Sequence, residues 1–237
     1  MENNVKEYIS QRNRIFEFKY SLGLLNTAEL VEIGIYLLEN NIQDDNICIL
    51  AGLNNAFIDE VLKYYKNVLS RFELTFNDNI DQKQLEEYGI LCIEEYLKGK
   101  MPQKELARII DSINSITVFS TDFATFDQIE DDRSLLNEIG HPVFNPEMTK
   151  SNYESFFNDF IKTFYELKRI VHYNDLETTC YCQKCMKIQK LKLKNKIFSK
   201  IQYWACSNCG STEYTHCKTL NGMKYYIKEK RLTTAST

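Results

Sequence analysis

Cys182-Gln183-Lys184-Cys185 is followed, after twenty further residues, by Cys206-Ser207-Asn208-Cys209-Gly210. A C-x-x-C pair places two sulfurs on one side of a tight turn. Two such turns complete a tetrahedron of thiolates about one ion, with Zn–S distances near 2.3 Å. The expected ligands are therefore Cys182, Cys185, Cys206 and Cys209, and the expected ion is zinc. Gly210 suits the bend after the second turn because it tolerates positive φ, while Met186 holds the equivalent place after the first. Cys180, His216 and Cys217 stand near enough along the chain to replace a member of the set, but the C-x-x-C spacing favours the four named.

The residues between the pairs alternate with a period of two. Leu191 and Leu193 interleave with Lys190, Lys192 and Lys194, which predicts a strand, and Lys194-Asn195-Lys196 is the expected turn into a second strand over Ile197 to Trp204. Asn221-Gly222, a strong short turn signal, predicts another hairpin between Tyr214 to Leu220 and Met223 to Lys228. From about Thr178 to Lys230 the sequence resembles the zinc-ribbon family. That family includes transcription, translation and replication factors as well as purely structural modules, so the resemblance implies a small antiparallel β fold and zinc, but no single activity.

Upstream the pattern changes. Apolar residues recur at three and four, predicting helices from Thr27 to Asn40, Ala56 to Phe72, Gln82 to Lys98 and Pro102 to Ile113. Asn26-Thr27-Ala28-Glu29 and Ser151-Asn152-Tyr153-Glu154 have capping-box spacing. The second opens a stripe of Tyr153, Phe156, Phe157, Phe160, Phe164, Leu167 and Val171 that reads as core. Between Thr117 and Met148 periodicity fails, and Asp122, Asp127, Glu130, Asp131 and Asp132 suggest a long solvated loop. Leu30, Glu32, Gly34, Ile35 and Glu39 recur 55 residues later as Leu85, Glu87, Gly89, Ile90 and Glu94, which implies close helix approach at the two glycines. Cys48 and Cys92, in apolar helical runs, read as small buried hydrophobes. The expected fold class is α+β: an all-helical domain over 1–175 followed by a small antiparallel zinc ribbon over 176–237. Ile93 to Pro102 and Ala107 to Ile110 faintly resemble small uncharacterised bacterial helical proteins, which implies a bacterial or phage context and no mechanism.

Charge divides the chain at the same place. Residues 1–177 hold 17 Lys and Arg against 31 Asp and Glu, a net −14, whereas residues 178–237 hold 12 against 2, a net +10. Hydrophobic residues at 43% and aromatics at 13% supply material for packed cores. No window approaches the roughly 20 apolar residues of a membrane span, and the polar start Met1-Glu2-Asn3-Asn4 gives no sign of export, so a cytoplasmic location is expected. Clustering of six of the eight cysteines between Cys180 and Cys217 then favours metal over disulfides.

Catalysis is not expected. The chain has three His, with no phosphate loop, dinucleotide glycine motif or H-E-x-x-H, and a closed four-cysteine site leaves the ion no open position. Two binding roles remain. In the first, which the acidic majority of the chain favours, the protein recognises another protein as an adaptor, regulator or immunity-type accessory, with the acidic helical domain as the surface for a basic partner. In the alternative, Lys190, Lys192, Lys194, Lys196 and Trp204 supply phosphate contacts and a stacking surface for nucleic acid read without sequence preference.

Overall fold

The computed structural model describes residues 2–118, 122–171, 176–195 and 202–234. The fold is α+β, with helices along most of the chain and a four-stranded antiparallel sheet near its C-terminal end. Two compact units are present, Met1–Gly89 with Ala107–Thr117, and Ile90–Leu106 with Val118–Thr237. The second unit therefore joins the sheet to helical segments from the acidic part of the sequence.

The first unit is built on α1 (Glu2–Ser21), α2 (Thr27–Glu39), α3 (Asp45–Gly52) and α4 (Ile58–Arg71), with parts of α5 (Gln82–Leu97) and α6 (Gln103–Ile116). The expected capping box at α2 is made: Glu29 N donates to Asn26 Oδ1 at 3.0 Å and Asn26 N to Glu29 Oε2 at 3.4 Å. Phe16, Leu30, Ile33, Leu37, Ile47 and Tyr65 are sealed in one core. A Cβ on Gly34 would stand 2.7 Å from Ala51 N, so glycine there lets α2 and α3 meet backbone to backbone, as the interrupted helical pattern predicts. Cys92 is buried as expected, but Cys48 is exposed, on the outer side of the short α3.

In the second unit the expected acidic loop contains a helix. α7 (Ala124–Glu138) covers its middle, and Asp122, Glu130 and Asp132 have structural partners. Asp132 is fully buried and accepts hydrogen bonds from Val143 N, Phe144 N, Asn145 N and Asn145 Nδ2 at 2.5 to 2.9 Å, replacing the water that a buried charge would lose. Asp122 pairs with Lys168, and Glu130 Oε1 accepts from Tyr153 Oη at 2.6 Å. The aromatic stripe is core: along α8 (Tyr153–Lys168), Tyr153, Phe156, Phe157, Phe160, Phe164 and Leu167 are buried, and Phe126 of α7 meets Phe164 edge-on at 4.9 Å. Asn152, at the helix N-cap position, makes no capping bond with its side chain, so the box read from Ser151 to Glu154 does not form. Its Oδ1 instead accepts from Thr149 N at 2.7 Å.

The sheet comprises β1 (Thr179–Cys182), β2 (Lys187–Asn195), β3 (Gln202–Cys206) and β4 (Tyr214–His216), in the order β3-β2-β1-β4. β2 and β3 pair as expected, but Lys194 and Asn195, expected in the turn, still belong to the ladder, opposite Tyr203 and Gln202; Lys196 and most of the expected strand from Ile197 to Trp204 lie outside the described residues. The second expected hairpin is not formed, because after β4 the chain enters helix α9 (Leu220–Thr234). Thr219 caps that helix, its Oγ1 accepting from Gly222 N at 3.3 Å and its carbonyl from Met223 N at 2.9 Å. α9 buries Leu220, Met223, Tyr226 and Ile227. It packs on α8, β1 and β2. Glu229 Oε2 accepts from Ile188 N at 2.7 Å, and Tyr225 stacks on Tyr181 with centroids 4.1 Å apart. Packing of this helix gives the small sheet an apolar side to bury.

Candidate metal centre

Sγ of Cys182, Cys185, Cys206 and Cys209 all lie within 4.8 Å of one another. β1 ends at Cys182 and β3 at Cys206, so the ladder through β2 sets the separation of the two knuckles. Each knuckle closes the same way. Met186 N donates to Cys182 O at 2.8 Å, and Gly210 N to Cys206 O at 2.9 Å. The residue after each pair is left-handed, with φ of +54° at Met186 and +75° at Gly210. Met186 thus accepts a conformation that costs a residue with a Cβ about 1 kcal/mol or more, which marks the turn as one the site requires.

The sulfurs fit a tetrahedral ion. Zn–S bonds near 2.3 Å imply S···S edges of about 3.8 Å; Cys182 Sγ lies 3.6 Å from Cys209 Sγ and Cys185 Sγ 3.9 Å from Cys206 Sγ. Backbone and side-chain donors surround them. Cys185 N points at Cys182 Sγ at 3.4 Å, and Asn208 Nδ2 at Cys185 Sγ at 3.3 Å. Burial acts to raise the Cys206 thiol, but N–H groups of Cys209 and Asn208 hold it below the ordinary value, at about 7. Four thiolates this close repel one another, so full ionisation calls for a cation among them. Asn208 was not singled out in the sequence, although a side-chain amide between two ligands of a knuckle is a readable source of a donor to sulfur.

The competing ligands stand apart from this cluster. Cys180 and Cys217 are fully buried, and burial pushes their thiols up to about 11 and about 12, which keeps them protonated. Both ring nitrogens of His216 are engaged: Nε2 lies 2.8 Å from Glu177 O, and Nδ1 accepts from Lys218 N at 3.2 Å. Those contacts make His216 a neutral strand residue, and burial lowers its pKa.

The residues expected to contact nucleic acid do not form one platform. Trp204 pairs across the ladder with Leu193, whereas Lys192 pairs with Ala205 and Lys194 with Tyr203. Strand alternation places the lysines and Trp204 on opposite faces of the hairpin. Lys190 Nζ donates to Thr179 Oγ1 at 3.0 Å, and Lys192 Nζ to Ser207 O at 2.8 Å. Among the described residues no helix is long and apolar enough to cross a membrane. Comparison with known proteins adds no relative: no family model, curated protein or solved structure matches the chain.

Proposed function

We propose that the four cysteines hold one structural zinc ion in a ribbon-like module, and that the chain acts without catalysis, as an adaptor, regulator or accessory that recognises another protein. The observation behind this reading is where the basic charge goes. Lys224 Nζ meets Asp159 Oδ2 at 3.1 Å, and Arg231 pairs with Glu166, so α9 directs cations onto the acidic α8. Lys190 and Lys192 meanwhile bond oxygens of the sheet module itself. Trp204, the ring expected to stack on bases, stands on the face opposite Lys192 and Lys194. The closed thiolate set offers structural stabilisation, since four protein ligands leave no place for water or substrate.

Affinity capture with the zinc-loaded full chain, read by mass spectrometry, tests the role. Under this reading it retains a defined protein partner after nuclease treatment. Retention that disappears with the nuclease moves the function to nucleic acid.

A further inference from the structure

The outer edge of β3 is open, since among the described residues β3 ends the sheet and pairs only with β2. The backbone bonds reveal which groups face outward. Ser207 N donates to Lys190 O on the β2 side, while Cys206 N turns the other way and donates to Ser211 O. Continuing that alternation along β3 directs the N–H and C=O of Trp204 and Gln202 away from β2, toward an added strand. β3 reads Gln-Tyr-Trp-Ala-Cys, without the lysine or proline that natural edges use to repel other strands.

The two faces beside that edge differ in chemistry. Leu193 and Trp204 stand opposite one another on one face, each 47% exposed. On the other are Lys192, Lys194 and Tyr203. Lys194 reaches over β3 so far that its Nζ lies 2.5 Å from where a Cβ on Gly210 would sit, next to Ser211 on the outer side. Neither β2 nor β3 contains an Asp or Glu.

We propose that the β3 edge is a docking strand for an extended acidic segment of a partner protein, whose residues alternate between acidic and apolar. This inference rests on the protein-recognition reading and says where and how recognition occurs. Main-chain bonds to Trp204 and Gln202 hold the added strand. Its apolar side chains cover Leu193 and Trp204, and its carboxylates face Lys194 and Lys192, the latter exchanging its bond to Ser207 O for a carboxylate. A second copy of the chain is disfavoured, because neither β2 nor β3 brings a carboxylate to meet these lysines. Nucleic acid lacks the alternating amide groups that such an edge pairs with.

Trp204 is the only tryptophan in the chain, so its emission reports on this edge directly. The probe is a short synthetic peptide alternating glutamate and valine, titrated into zinc-loaded full-length protein, with calorimetry as a second readout. We expect a saturable change in emission that is lost when alternate peptide amides are N-methylated. The double variant Lys192→Glu, Lys194→Glu should weaken this peptide by about tenfold and strengthen a lysine–valine peptide. Absence of binding in both readouts overturns the inference, as does equal binding of the lysine–valine peptide or concentration-dependent self-association through Trp204. A response to oligothymidine but not to peptide overturns the protein-recognition reading as well.

Discussion

The carbonyl oxygen of His216 occupies the space beside Gly222 so closely that a Cβ there would stand 1.9 Å from it. The end of β4 and the first turn of α9 therefore meet through backbone alone. Replacement of Gly222 by Ala should destabilise the second unit by roughly 1–3 kcal/mol, as overpacking outweighs the gain of about 1 kcal/mol in helix propensity. Urea unfolding followed by release of bound metal measures it. An unchanged midpoint would mean that α9 shifts freely on the sheet.

This glycine also explains where reading the sequence falls short. Asn221-Gly222 has the form of a hairpin turn, and only the tertiary approach of His216 gives the glycine its other purpose. The cysteine pairs were legible because their chemistry is local: spacing alone brings two sulfurs to one side of each turn. The aromatic stripe of α8 was legible because its period is helical. Asp132 was not, because an acidic cluster in sequence looks solvated until the N–H groups of Val143, Phe144 and Asn145 are seen to enclose it. Cys48 likewise lies in an apolar run yet faces outward, since the eight-residue α3 buries only Ile47 and Leu50.

Asp132→Ala should be among the most damaging substitutions outside the metal centre. It leaves the two buried donors of Asn145 and the part-buried N–H groups of Val143 and Phe144 without an acceptor, at about 1–3 kcal/mol for each buried one, so a loss of about 2 kcal/mol or more is expected. Thermal denaturation of the purified variant checks this. A loss below about 1 kcal/mol would show that water replaces the carboxylate.

Asp44 caps α3, its Oδ1 accepting from Ile47 N at 2.9 Å, and Oδ2 pairs with Arg71 at 2.8 Å. Burial acts to raise its pKa, but Arg71 and the Ile47 N–H lower it below the ordinary carboxylate value. A lowered folded pKa means that the carboxylate contributes stability above its unfolded pKa, and that this contribution is lost as pH falls through the folded value. Asp44→Ala should cost about 1 kcal/mol at neutral pH, and less under strongly acidic conditions. Urea midpoints of wild type and variant, compared across pH, decide the matter; a difference that grew on acidification would contradict it.

Loss of one thiolate should unfold the sheet of the second unit and leave the first unit folded. Cys185→Ser leaves three protein ligands, so the purified chain should fall from about one bound zinc toward none, as elemental analysis reads. The sheet then loses the link between its knuckles, and α9, which packs on β1 and β2, loses its floor. Far-ultraviolet circular dichroism should fall only in part, because the first unit keeps its own core around Leu30, Leu37 and Tyr65. Complete loss of helix would mean that both units depend on the metal.

The last prediction concerns the basic charge. If Lys190, Lys192 and Lys194 served phosphate, affinity for DNA or RNA would fall steeply with salt, by about 0.7 to 0.9 in log–log slope for each phosphate neutralised. The geometry argues against it. Lys190 and Lys192 already donate to Thr179 and Ser207, Trp204 faces away from Lys192 and Lys194, and Lys224 and Arg231 meet carboxylates of α8. A phosphate at Lys190 or Lys192 would therefore replace a bond within the chain. Full-length protein should show no more than weak binding to single-stranded or duplex oligonucleotides at physiological salt, where the screening length is about 8 Å. Fluorescence anisotropy with labelled oligonucleotides across a salt series measures this. Submicromolar binding with a slope equivalent to several phosphates would reverse the assignment and make nucleic acid the partner of the basic module.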